Sequence, residues 1–347
     1  MKRIGQSVFY AGLAAGVAFG ATLPFAAQAD WEPQRPIEFV IQTSPGGGSD
    51  TYARLWISII DKHDLSPVPI TPVNMPGGAG AVAMTHLYNQ EGDPHFITPT
   101  LNSLITTPLQ QEIPVMYPSE DLTPIAKMVM DPFLLWVHPD NWETWEEFHA
   151  DCQENRMTGV GTGARQEDEI QLALLQVAAN CESFRYVPSA GGGDVASAVA
   201  GQHQDMNVNQ PAEAMPHYPE RLWPIVAFAE ERFDAYPDVP THYELEIGTD
   251  NDGRYAELLS LEHGVHQMRG LIGPPNMAPE AVAWYEDLFR KVWETEEWQE
   301  FIERNAMTPI FMGSDEYREW LATFEDNHVD LMTEVFEWEL RSDLRRR

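Results

Sequence analysis

Residues 37–60 read IEFVIQTSPGGGSDTYARLWISII, and the fold class follows from this stretch. Ile37 to Thr43 is a β-like apolar run. Ser44-Pro45-Gly46-Gly47-Gly48-Ser49-Asp50 is a glycine-rich turn. Tyr52, Leu55, Trp56, Ile59 and Ile60 then recur at the spacing of one helix face. Ser49 or Asp50 can cap the start of that helix.

The same unit returns three times. VPITPV leads into Asn74-Met75-Pro76-Gly77-Gly78-Ala79-Gly80 and then AVAMTHLYN. Arg156 to Val160 leads into Gly161-Thr162-Gly163-Ala164-Arg165 and a helix from Asp168 to Ala179. FRYVP leads into Ser189-Ala190-Gly191-Gly192-Gly193-Asp194 and VASAVAG. Strands alternating with helices through short turns predict an α/β fold with mostly parallel sheets. Two units lie before residue 100 and two between 156 and 200, which predicts two lobes. Asp131 to Trp142 (DPFLLWVHPDNW) reads as a buried strand carrying the chain across, and Leu222 to Phe228 as a strand of the second lobe. MRGLIGPP is a further strand, followed by acidic amphipathic helices over Pro279 to Asn305 and Ser314 to Leu340, placed back on the first lobe. The expected division is 1–29 signal peptide, 30–131 plus 267–347 first lobe, and 132–266 second lobe.

Charge narrows the function. With 21 Lys and Arg against 54 Asp and Glu, the net charge is −33. This excludes most direct nucleic-acid binding and disfavours an anionic membrane surface. After residue 29 only Lys62, Lys127 and Lys291 remain as lysines. So acidic a surface is self-repelling and suits a saline habitat, or simply an acidic exported protein. Residues 1–29 have a basic start at Lys2 and Arg3, an apolar stretch, and Ala27-Gln28-Ala29 as a cleavage site. They read as a secretory signal peptide cut after Ala29, with a retained anchor as the alternative. Export implies a periplasmic location and no stable membrane insertion after cleavage.

No catalytic constellation stands out. GxSxG, HExxH and GxxxxGK[ST] are missing, and GGGSD is not GxGxxG. His263 and His266 form an isolated HxxH and read as surface histidines; no metal or cofactor is expected. Cys152 and Cys181 are the two cysteines, the first near the end of one helical pattern and the second just after another, the two helices flanking the strand at 156–160, and an oxidising compartment favours a disulfide between them. The glycine turns carry the physical signal. Glycine lets backbone approach a ligand, and a helix N-terminus favours negative charge. Tight strand-to-helix turning is the competing reading of any one turn.

The sequence resembles the substrate-binding receptors of the tripartite tricarboxylate transporters, the Bug receptors. SPGGGSDTYARL at 44–55 is similar to their first-lobe ligand loop, VNMPGGAGAVA at 73–83 to their N-x-PG-x-GG segment, and Asp121 to Ala126 to their D-[LF]-x-P-[IV]-A element. GTGARQEDEIQLALL at 161–175 resembles the second-lobe loop and helix, YPDVPT at 236–241 the LPDVPT motif, and RGLIGPP at 269–275 the final crossover. The matches keep their order over about residues 36–320. Arg165, Asp168 and Glu169 depart from the serine-rich second-lobe loop of many members, and 249–266 looks long.

The resemblance implies a periplasmic Venus-flytrap receptor of type II-like fold. It would be a monomer that closes on a small organic anion, a di- or tricarboxylate or related acid, and delivers it to membrane permease subunits. The implied ligand-facing residues are Ser44, Pro45, Gly46, Gly47, Gly48 and Asp50 in the first loop, with Asp50 expected to cap the helix, and Asn102 and Ser103 beside it. Across the cleft they are Thr162, Gly163, Ala164, Arg165, Ala190, Gly191 and Asn209. Backbone N–H groups, notably those of Thr162 and Gly163, would do much of the holding. Five or six hydrogen bonds to a charged group at roughly 1.5–3 kcal/mol each suffice for a micromolar constant, which needs about 8 kcal/mol net. Arg165 has two readings, a contact to a ligand carboxylate or a local pair with Asp168 or Glu169. An exported enzyme acting on a small carboxylate, or a binding protein serving a sensor, are the alternatives.

Overall fold

The computed structural model describes residues 31–45, 48–189, 191–260 and 264–344. The expected signal peptide, Gly46, Gly47, Ala190 and His263 lie outside the described residues. The chain opens with β1 (Ile37–Ile41), α1 (Gly48–Lys62), β2 (Ile70–Asn74), α2 (Ala81–Tyr88), β3 (Phe96–Pro99), α3 (Ser103–Gln110), α4 (Pro118–Asp121) and β4 (Thr123–Asp131). It then crosses into β5 (Leu134–Val137), α5 (Trp145–Glu154), β6 (Arg156–Thr162), α6 (Glu167–Ala178) and β7 (Ser183–Ser189). α7 (Gly192–Ala200), β8 (Met206–Asn209), α8 (Pro211–Ala214), β9 (Trp223–Ala227) and α9 (Arg254–Leu259) follow. It returns with β10 (Gln267–Gly273), α10 (Pro279–Trp293), α11 (Glu296–Arg304) and α12 (Ser314–Asp330).

Two five-stranded sheets result, β2-β1-β3-β10-β4 and β7-β6-β8-β5-β9. β1 pairs in parallel with β2 and β3, and β6 with β7 and β8. β10 runs antiparallel to β3 and β4, and β5 antiparallel to β8 and β9. Four strands of each sheet therefore share one direction. The reversed strand is in each case the one that arrives from the other lobe, because it enters from the end opposite to that used by the β–α–β units. The mostly parallel, two-lobed architecture matches expectation.

The strand expected over Asp131 to Trp142 is instead the junction of two. β4 ends at Asp131, and β5 begins three residues on, beyond Pro132. β3, β4 and β8 escaped the sequence reading, being short or, for β4, interrupted by Lys127. That lysine is 1% exposed, its ammonium 3.4 Å from the centre of the Trp320 ring on α12. The helix expected to reach Leu340 stops earlier. After α12 a wider turn covers Leu331–Val335, and residues 336–344 continue without helix.

In the first lobe, Phe39 of β1, Trp56 of α1, Phe289 of α10 and Trp298 of α11 form a fully buried aromatic cluster with ring centres 5.7–6.4 Å apart. Aromatic pairs at such spacing add to what their burial contributes. In the second, Trp136, Val160, Val195 and Val199 pack between sheet and α7. Cys152 and Cys181 are joined as a disulfide, Cα atoms 5.0 Å apart, tying the last turn of α5 to the turn between α6 and β7.

His266 overturns the surface reading of the HxxH pair. It is fully buried where the two crossings meet. Its Nδ1 accepts from the Phe133 amide at 3.0 Å, and its Nε2 lies 2.9 Å from the Leu259 carbonyl, so Nε2 carries the proton. Burial lowers its pKa to about 4.

Candidate functional site

A parallel sheet places its strand-to-helix turns along one edge, where ligands bind in α/β proteins. Here the turns after β1, β6 and β7 face one cleft of about 650 Å³. One wall is Thr43, Ser44, Gly48, Ser49, Leu101 and Arg269; the other includes Thr162, Glu167, Asp168, Gly191, Gly192 and Glu213.

The first wall offers donors. Ser49, in the first turn of α1, is 2% exposed, and its hydroxyl has no hydrogen-bond partner; nor does that of Thr43. An unmet buried hydroxyl is costly and marks a place for a ligand atom. Arg269 of β10 is 7% exposed. Its Nε and one terminal nitrogen donate to Asp131 Oδ2 at 3.0 and 2.9 Å, and its guanidinium lies 4.5 Å from the centre of the Tyr52 ring. Tyr52 donates to the same oxygen at 2.9 Å. Burial, then the Asp131 carboxylate, holds that phenol protonated far above its ordinary range. Gly48 brings the loop to the guanidinium, since a Cβ there would lie 3.7 Å from it.

The second wall offers acceptors. Asp168 turns inward because residue 161 is glycine: a Cβ there would fall 2.4 Å from the Asp168 Cβ and 2.6 Å from the Tyr186 hydroxyl. Its Oδ2 accepts from the Thr162 amide at 2.6 Å. The Gly163 amide donates to the Ser189 carbonyl at 3.0 Å, and that of Arg165 to Glu169. The second-lobe N–H groups expected to meet an anion are thus occupied by the chain itself. Glu213 lies against the start of α7, its Oε2 1.9 Å from where a Cβ on Gly192 would stand, so a side chain there would have to displace its carboxylate.

Burial raises the pKa of Glu167, and burial followed by the Glu167 charge raises that of Asp168 well above the usual carboxylate range. Burial pushes Glu213 up to about 7. The Gln267 amide bridges the walls, its oxygen 3.0 Å from an Arg269 terminal nitrogen and its nitrogen 3.0 Å from Glu167 Oε1.

Of the residues expected to face a ligand, Ser44, Gly48, Thr162 and Gly191 line the cleft. Asp50 does not: it binds Arg54 Nε and the Asn74 amide at 2.8 and 2.9 Å. Asn102 is corrected to a structural role, donating to the His266 carbonyl at 2.9 Å and accepting from the Met268 amide at 3.1 Å. Asn209 likewise accepts from the Gln210 amide at 2.9 Å and donates to the Gly192 carbonyl at 3.3 Å. Ser103 is buried beside Gly80, and Pro45, Gly163 and Ala164 are not among the lining residues.

Arg165 is not among the cleft-lining residues, and of its two readings the local one is the nearer: its charge opposes the burial that raises the Glu169 pKa, and its backbone amide donates to that carboxylate. Its guanidinium lies 5.6 Å from the Trp338 ring centre and donates to the Glu339 carbonyl at 3.3 Å. There the lobes also meet through Thr106 donating to Gln166 at 2.7 Å and Gln110 donating to the Arg165 carbonyl at 3.0 Å. Sequence reasoning missed Arg269, Glu167 and Glu213. The available signal was the acidic QEDE after GTG, noted as a departure, and the arginine opening RGLIGPP.

Among the described residues, no helix is long and apolar enough to cross a membrane, and no group of three or more His, Cys, Asp or Glu is placed to hold a metal.

A model of the tripartite tricarboxylate transporter family receptors matches residues 64–334. The UPF0065 protein in the gbd 5′ region of Cupriavidus necator is 26% identical over 317 residues, covering 90% of this chain and 91% of that protein. Among solved structures, a TctC solute-binding protein from Polaromonas has 22% identity and a TM-score of 0.69, covering 87% of this chain and 99% of its own. MatC from Rhodopseudomonas palustris, solved with bound malate, has 21% identity and a TM-score of 0.68 over the same shares.

Proposed function

The chain belongs to the tripartite tricarboxylate transporter receptor family, and from that premise we propose that it captures a small organic acid between its lobes outside the cytoplasm and presents it to membrane permease subunits. The observation carrying this is the inter-lobe cleft, where unpartnered Ser49 and Thr43 hydroxyls stand beside Arg269 at the start of α1. That malate occupies a relative of the same fold supports a carboxylate as the ligand's core. The lobes would be 30–131 plus 267–347 and 132–266, hinged where His266 joins the crossings, with export directed by residues 1–29 and cleavage after Ala29.

The test is a thermal-shift screen of small acids on the purified protein, followed by calorimetry. Saturable one-site binding without conversion of the acid is expected. It should be lost in Gly48→Val, whose side chain would stand between the loop and Arg269 while leaving the core untouched. Turnover of a bound acid, or no stabilisation by any acid, would overturn the proposal.

A further inference from the structure

We infer that residues 336–344 are a strap that holds the two lobes together in the ligand-free protein, so that the cleft opens only when Arg165 lets go of it. The inference goes beyond the receptor reading, since it concerns the movement of the lobes and not what they hold. The strap leaves α12, which packs on β4 of the first lobe, and returns to that lobe. Arg341 is its anchor there. The side chain is 5% exposed, and Nη1 donates to the carbonyls of Pro108, Ile113 and Val115 at 3.1, 3.3 and 3.2 Å. The Arg341 amide donates to the Leu109 carbonyl at 2.9 Å. Pro108 and Leu109 lie in the last turn of α3, where carbonyls lack partners within the helix and favour a cation. Asp343 takes Nε and Nη2 at 2.6 and 2.9 Å, and Phe336, Trp338 and Leu340 pack half-buried on the core.

Midway, the strap meets the second lobe. Arg165, in the turn after β6, sets its guanidinium over Trp338 and donates to the Glu339 carbonyl. α3 holds the same turn from its other side: Gln110 donates to the Arg165 carbonyl at 3.0 Å, and Thr106 to the Gln166 side chain at 2.7 Å. Arg165 has a φ of 54°, a left-handed conformation that a residue other than glycine keeps only where its surroundings impose it. Arg341, α3 and the strap thus form one clamp on residues 165 and 166. Glu167, the next residue, lines the cleft, as does Thr162 just before. Where the strap begins, Glu334 lies 3.8 Å from Arg254 of α9, a helix packed on α6, so the chain is already beside the second lobe. Separating the lobes must break these contacts. Each is individually modest, so the clamp can be released.

The experiment measures lobe separation with no ligand added. Spin labels on cysteines replacing Val82 of α2 and Met215 after α8, both exposed and one on each lobe, give the distance by double electron–electron resonance. Small-angle X-ray scattering of the unlabelled protein gives the radius of gyration. In the parent a short distance should dominate. A chain ending at Val335 should show chiefly a longer distance and a larger radius. Arg165→Ala and Trp338→Ala should each raise the share of the longer distance about three-fold or more. Melting curves establish that each variant is folded; if the shortened chain is not, the two point variants carry the test. Apparent affinity falls only with the closed fraction, so an Arg165→Ala protein open half of the time would bind about two-fold more weakly. A parent as open as its variants sinks the inference, and so do variants as closed as the parent by both measurements. The receptor reading is judged separately by the acid screen, since neither result here depends on a bound acid.

Discussion

Replacing Arg269 with methionine probes the buried group that joins the crossover strands to the cleft floor. Its side chain is 9% exposed and that of Asp131 3%, and they meet through two hydrogen bonds of 3.0 and 2.9 Å. Such a pair contributes little net, because desolvation offsets the attraction; removing one partner is what costs, at about 3–5 kcal/mol, since the other charge stays buried. Asp131 would keep the Tyr52 hydroxyl at 2.9 Å, and a hydrogen bond to a charged group contributes about 1.5–3 kcal/mol. The loss should therefore fall near the low end, about 3 kcal/mol at pH 7. Urea unfolding of the ligand-free protein followed by tryptophan fluorescence measures it. Arg269→Met with Asp131→Asn removes the orphan charge and should recover at least half of the loss, so the two substitutions are far from additive. A single variant within 1 kcal/mol of the parent, or a double variant no better than the single, would refute the account of a paired, desolvated charge.

Lys127→Met should stabilise the protein by up to roughly 4 kcal/mol below pH 7. Burial lowers the lysine's folded pKa from 10.5 to about 7. The native state thus binds fewer protons than the unfolded chain between those values, the parent gains stability as pH rises through that window, and the advantage of methionine should fade toward pH 10.5 in denaturation series at several pH values. Cys152→Ser with Cys181→Ser opens a link of 29 residues' separation, and should cost about 3–4 kcal/mol in the same assay. Arg165→Ala should speed amide exchange over residues 336–344, which it holds through Trp338 and Glu339, and change ligand affinity less than three-fold. A ten-fold loss of affinity would return Arg165 to the ligand.

The sequence alone determined the repeating strand–turn–helix units, the two lobes, the cysteine pairing and the turns that rim the cleft. These are local signals: a helix face shows within four residues, and a glycine turn announces itself. β3, β4 and β8 left no such trace, being short or, in β4, carrying a charged residue whose burial depends on Trp320 from a distant helix. What the turns present to the cleft was decided by tertiary structure. The N–H groups of Thr162 and Gly163 looked free until Asp168 folded back on one and β7 took the other. Arg269 lies 138 residues from Asp131, and Glu213 reaches Gly192 from a separate helix. Charge in a cleft is a sum over residues brought together by the fold. A chain with 54 acidic side chains gives no local sign of which few will be taken out of water, and it is desolvation that turns those few into a site.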